Sequence, residues 1–187
     1  GQTALLTGRN APALFGRHFG PWTPVRLRDL LDRENLLIRA VESGASVAFA
    51  NAYPRGWPGS RDTRRLAAPP LAARAAELLT RHVEELARGD AVASEIVNRG
   101  WRTHLGYDSL PRVSPREAGA NLARIASRHR LTVYAHYDTD HAGHRGGMEG
   151  AVAALERVDS FLDGLLVESG DDLVLIVTSD HGNVEDV

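Results

Sequence analysis

The sequence predicts an α/β fold with a mostly parallel central sheet flanked by helices. Three observations carry this. Apolar runs of strand length at residues 46–50 (SVAFA), 131–137 (LTVYAHY) and 173–177 (LVLIV) are separated by stretches in which apolar residues recur at helical spacing. Strands that alternate with helices are the pattern of a layered sheet whose strands run parallel. Two of the three runs lead directly into segments rich in Asp and His, and in such sheets ligands gather at the carboxyl ends of strands.

The elements follow in chain order. Thr23 and Pro24 combine an N-cap hydroxyl with a Pro at the first helical position, and Leu27, Leu30 and Leu31 supply the apolar stripe of the helix they open. A second helix spans residues 35–43 and Gly44 ends it. Residues 53–70 turn to Pro, Gly, Arg and Asp and are predicted as loop. Leu71, Ala75, Leu78, Leu79, Val83 and Leu86 place one helix over residues 71–88. Ser114, Pro115 and Glu117 form a capping box, which starts a helix running to about residue 128. A long amphipathic helix over residues 148–166 joins the second strand to the third.

At 187 residues the chain has room for one core. Its composition, 43% hydrophobic and 25% charged, is that of a globular protein, and no apolar run nears the roughly 20 residues of a membrane span. All 22 cationic residues are Arg, against 24 acids, so a net charge of -2 offers no basic field to a polynucleotide. We therefore expect neither a membrane nor a nucleic-acid partner. Zero Cys excludes disulfides and thiolate metal sites, leaves His, Asp and Glu as ligands, and suits the cytoplasm. The chain opens on GQTALLTG without an initiator Met or a signal segment and stops soon after Asp180-His181, which is the look of a fragment.

The second strand runs into Asp138-Thr139-Asp140-His141-Ala142-Gly143-His144 and the third into Thr178-Ser179-Asp180-His181-Gly182-Asn183. Imidazole with carboxylate and no thiolate suits zinc or manganese, and the Gly in each motif lets backbone turn sharply about an ion. One Asp-His pair alone is more often a solvated loop than a metal site. Two such pairs, on strands joined by one helix, point to a shared site.

The segment VLIVTSDHGNVED resembles the metal-binding stretch of the alkaline phosphatase superfamily. The likeness is to its metalloenzyme branch, which contains cofactor-independent phosphoglycerate mutase and phosphopentomutase. The segment DHAGHRGGMEGAVAALERVDSFLDGLL is similar to that branch's Asp-x-x-x-His motif and the helix after it, and GQTALLTGRNAPALFGRH to the stretch after the nucleophile. Residues 52–113 resemble nothing in the branch.

The resemblance implies an alkaline-phosphatase-like layered fold, here a single incomplete metalloenzyme core domain over residues 1–187 with a small cap inserted at about 52–113. It implies that Asp140 and His144 hold one divalent metal and Asp180 and His181 a second, as manganese or zinc, with magnesium also suitable. It implies a small phosphate ester as substrate and a Ser or Thr nucleophile three residues before Gly1, so that Thr3 and Thr7 are helix residues without catalytic work. Arg9 and Asn10, next along, are candidates to meet a substrate oxyanion. The expected activity is phosphoester hydrolysis or phosphoryl transfer. A phosphomutase of the same superfamily and a non-catalytic metal-binding relative remain the alternatives, and the residue at the nucleophile position separates the last from the others. The small size of the insertion favours the hydrolase, because a mutase must shield its phospho-enzyme from water.

Other polar residues carry less. His136 alternates with Asp138 and either supports the ligands from behind or faces solvent; His141 flanks them, and His18 shapes a loop. Arg99, Arg102, Arg112 and Arg116 fit a surface role better than a phosphate site, and Trp57 and Trp101 fit as anchors of cap to core.

Overall fold

The computed structural model describes residues 1–17, 19–20, 22–59 and 65–182. The elements are α1 (Gln2–Thr7), α2 (Ala11–Phe15), a 3-10 turn (Val25–Leu27), α3 (Arg28–Glu34), α4 (Leu36–Glu42), β1 (Val47–Phe49), α5 (Ala68–Ala75), α6 (Val83–Ala87), α7 (Arg99–His104), α8 (Pro115–Ala126), β2 (Leu131–Val133), α9 (Asp138–Arg145) and α10 (Gly147–Glu168). The fold is a helix and sheet mixture with a small parallel sheet, in which Val47, Ala48 and Phe49 pair with Leu131, Thr132 and Val133.

Alternation along β1 sends side chains to both faces of this sheet. Phe49 joins Leu6, Leu31, Leu37, Leu71, Ala72 and Ala73 in one core, built with α1, α3, α4 and α5. Ala48 and Ala50 face the other way, into a second core with Leu122, Ile125, Phe161 and Leu165 of α8 and α10. The small side chains of β1 on this face leave room for two long helices that touch closely at Gly119 and Gly164. A third core gathers Ala52, Leu86, Ala91, Ala93, Trp101 and Leu110. Trp101 is buried there, tilted against Tyr107, and Trp57 packs edge-on to Tyr53.

The local start and stop signals behave as the sequence predicts. Asn35 accepts from the Leu37 and Ile38 amides to start α4, and Gly44 leaves the helix in the left-handed region with φ 79°. At α8, Ser114 Oγ accepts from Glu117 N while Glu117 accepts from Ser114 N, completing the capping box.

Four expectations need correction. The helix expected from Thr23 begins as a 3-10 turn whose N-cap is Pro24, and the buried Thr23 hydroxyl has no partner among the described residues. The single helix over residues 71–88 is two, α5 and α6. Its apolar stripe serves two cores: Leu71 to Ala73 pack in the first and Leu86 in the third, so the backbone bends away at Glu77, where φ is 58°, with Leu78 N donating to Ala73 O. The second strand pairs only through Val133. The third run is not a strand: Val174, Ile176 and Val177 are 83%, 80% and 68% exposed, and no described strand lies alongside to pair with them. A run this apolar forms a buried strand only when both its edges find partners.

Candidate metal centre

The chain leaves β2 at Val133 and reaches α9 through four residues, 134–137, that make no ladder. Each is tied down separately. Tyr134 Oη donates to Ala93 O at 2.8 Å, Ala135 exchanges two bonds with the Asn51 side chain, and His136 Nδ1 meets Ser94 O at 2.9 Å. Tyr137 N donates to the same Ser94 carbonyl, and its hydroxyl lies 3.4 Å from that of Tyr53. Burial pushes the Tyr53 hydroxyl up to about 12 and holds Tyr134 and Tyr137 well above the ordinary phenol value, so all three stay protonated at neutral pH.

Helix α9 begins at Asp138, whose carboxylate pairs with the Arg157 guanidinium of α10; both side chains are about one-fifth exposed. This ion pair fixes how α9 folds back on α10. Helical spacing then brings Asp140 and His144 onto one face, with Asp140 Oδ1 and His144 Nε2 3.5 Å apart.

From the far side of the sequence His181 reaches the same carboxylate, its Nε2 3.5 Å from Asp140 Oδ1 and 3.7 Å from Asp180 Oδ1. The four expected ligands, Asp140, His144, Asp180 and His181, therefore lie near one another, although two come from a helix and two from a bend in the irregular segment after α10. The start of α1 adjoins them: an added Cβ at Gly1 would fall within 2.6 Å of Asp180 Cβ. His181 Nδ1 lies 2.9 Å from Gly182 O. That hydrogen bond, followed by the charges of Asp180 and Asp140, raises the imidazole's pKa against the opposing effect of its partial burial. In the neutral ring it also puts the proton on Nδ1 and leaves the Nε2 lone pair facing the carboxylates.

As placed, these groups form pairs. Among the described residues no group of three or more His, Asp or Glu is arranged to hold a metal ion. The donor chemistry nonetheless suits a divalent cation. Ligand bonds of about 2.1 Å put neighbouring donors of a tetrahedral shell roughly 3.4 Å apart, close to the separations here, and each pair amounts to half a shell.

The remaining candidates are engaged elsewhere. Arg9 is exposed and paired with Glu34 at 2.8 Å, and Asn10 caps α2 by accepting from Ala13 N. Thr3 and Thr7 lie in α1, where the Thr7 hydroxyl donates to Thr3 O. Arg99 and Arg116 pair with Glu95 and Asp163, and Arg102 donates to Leu110 O. His141 is exposed, whereas His136 is largely buried with no partner at Nε2 among the described residues, and burial depresses its pKa. His18, like the end of the second motif at residues 183–187, lies outside the described residues. Sequence reasoning missed Asn51, Ser94 and the Asp138–Arg157 pair. The one available signal was an Asn directly after a buried strand.

Among the described residues no helix is long and apolar enough to cross a membrane. No solved structure matches the chain. It is similar to 2,3-bisphosphoglycerate-independent phosphoglycerate mutases: that of Wolinella succinogenes at 37% identity over 83 residues, 43% of this chain and 17% of the relative, and that of Anaplasma phagocytophilum at 39% over 84 residues, 42% and 16%. An enzyme of that description from Methanothermobacter thermautotrophicus is 52% identical over 42 residues, 22% of this chain and 10% of the relative. The chain thus spans 17% or less of the length of these relatives. The profile of the Metalloenzyme superfamily matches residues 102–187, the part that contains Asp140, His144, Asp180 and His181. Over those residues, a little under half of its length, the chain is similar to the Metalloenzyme superfamily.

Proposed function

We propose that this chain supplies ligands of a two-metal site for phosphoryl transfer from a small phosphate ester. One observation carries the reading: His144, Asp140, His181 and Asp180, from segments some forty residues apart, form a run of contacts in that order at 3.5, 3.5 and 3.7 Å beside the start of α1. In this reading Asp140 and His144 hold one divalent ion and Asp180 and His181 the other, as manganese, zinc or magnesium. Bound there, such ions activate a hydroxyl at neutral pH and stabilise the oxygens of an in-line displacement.

The chain's own residues do the rest. Gly182 O holds the His181 proton on Nδ1, which keeps Nε2 free as a ligand. The Asp138–Arg157 pair holds the base of α9 and with it the direction in which Asp140 and His144 point. The nucleophile of this reading is a Ser or Thr on a segment leading into α1, whose start adjoins Asp180. In this reading a small cap within residues 52–113 favours water as the acceptor, while the mutase activity of the relatives favours return of the phosphoryl group to substrate.

Titration with Mn2+ followed by electron paramagnetic resonance tests the site. Saturable binding that Asp140→Ala and Asp180→Ala each weaken supports it, and no binding by the wild-type chain sinks it. Incubation of a protein carrying this chain with phosphoglycerates and pentose phosphates tests the chemistry. Free phosphate indicates a hydrolase, isomerised product without free phosphate a mutase, and neither leaves the non-catalytic reading.

A further inference from the structure

We infer that Asn51 and the carbonyls of Ala93 and Ser94 form a clip that positions the segment bearing Asp140 and His144; the metal-binding consequence of this rests on the function proposed above. β2 makes its last ladder bond where Ala50 N donates to Val133 O at 2.8 Å. Past that point Ala135 spends both of its backbone groups on one side chain. Asn51 Nδ2 donates to Ala135 O at 2.7 Å, and Ala135 N donates to Asn51 Oδ1 at 2.8 Å. A carboxamide offers a donor and an acceptor spaced as in a peptide group, so Asn51 stands in for the strand residue the ladder lacks.

Asn51 is itself held on both sides. It is fully buried, and its strand is bonded on the opposite edge to Val92, through Ala52 N to Val92 O at 3.0 Å and Val92 N to Ala50 O at 2.9 Å. Ala93 and Ser94, directly after Val92, form the other jaw. They accept from Tyr134 Oη, His136 Nδ1 and Tyr137 N, as described above. The turn closes at Ile96, a buried β-branched residue with φ 72°, a conformation that persists only where the surroundings impose it.

Four consecutive residues are thus pinned by partners at least 41 positions away, and Asp140 comes three residues after the last of them. The start of α9 inherits its place from the clip. No other side chain reproduces the contact: Asp has no donor, Leu has neither group, and Gln carries the amide one methylene too far.

The test uses the full chain and four variants: Asn51→Ala, Tyr134→Phe as a milder loss, and Leu31→Ala in α3 as a destabilising control, with Asp140→Ala as the ligand control. Mn2+ affinity and residue-level amide exchange are measured on each. Asn51→Ala should weaken Mn2+ binding by about tenfold or more, the size seen when groups that orient ligands are lost, and should speed exchange over residues 135–144 far more than in α8. Tyr134→Phe should move both readouts the same way by less. Leu31→Ala should raise exchange throughout and leave Mn2+ affinity within about twofold.

Wild-type Mn2+ affinity in both clip variants overturns the inference, as does exchange raised uniformly, in the manner of Leu31→Ala. Should Asn51→Ala fail to fold, Tyr134→Phe decides by the same two criteria. A wild-type chain that binds no Mn2+ overturns the two-metal reading instead, and the exchange pattern then decides the clip alone.

Discussion

Replacing Gly119 by Ala should destabilise the protein, although Ala favours a helix interior over Gly by about 1 kcal/mol. Gly119 of α8 lies against the backbone of α10. An added Cβ would overlap the Phe161 carbonyl oxygen and come within 2.7 Å of Leu165 N, where ordinary contact begins at 3.4 Å. The overlap with the Phe161 carbonyl sets the minimum, and the helices must part by about 1 Å or more. Dispersion falls steeply over such a gap, which forfeits a quarter to a half of each contact. The side chains that lose contact are the buried core of this interface, Ala118, Leu122, Phe161 and Leu165. Overpacking of this kind costs about 1–3 kcal/mol, and the obstacle here is backbone, which cannot swing aside, so the net loss after the propensity gain should be about 2 kcal/mol.

Gly164→Ala should act alike, because its Cβ would lie within 2.8 Å of the Arg116 backbone. Together the two should cost less than their sum, since one separation of the helices relieves both clashes. Gly150, on the same helix but with open space where a Cβ would go, is the control, and Gly150→Ala should stabilise by up to about 1 kcal/mol. Urea unfolding followed by circular dichroism measures all four. With a slope of about 2 kcal/mol per molar, Gly119→Ala should lower the midpoint by about 1 M without changing the slope. A midpoint for Gly119→Ala at or above that of Gly150→Ala would refute the reasoning.

Three further outcomes are expected. Arg157→Met removes the partner of the half-buried Asp138 and should cost about 1–3 kcal/mol, less than a fully buried pair because water reaches both side chains; an unchanged urea midpoint would show that the pair does not hold α9. His136 is kept neutral by burial, which outweighs the opposing hydrogen bond to Ser94 O and the Asp138 charge, with Arg157 adding to the depression. The unfolded chain therefore takes up a proton near pH 6.5 that the folded one refuses, so stability should fall as pH drops below about 6.5, and His136→Gln should flatten that slope relative to wild type. Ser114→Ala should cost about 1 kcal/mol of stability and leave Mn2+ binding untouched, as the α8 cap takes no part in the site.

The sequence by itself determined the helix starts at Asn35 and Ser114, the turn at Gly44, the two faces of β1 and the shared helix face of Asp140 and His144. Each of these is settled within a few residues: a cap is satisfied two or three positions on, strand alternation is a property of the pleat, and Asp140 and His144 share a face because they are one helical turn apart. Only the tertiary structure decided where an apolar run becomes a strand. Residues 173–177 are as apolar as any strand core, yet a strand exists only through a neighbour, and none of the described strands adjoins them. The same holds for the break between α5 and α6, made by two cores drawing on one stripe, and for Asn51, whose amide finds its partner 84 residues away. Local rules leave no mark of such a contact in the sequence, because its free energy belongs to a pairing that exists only once the chain has closed.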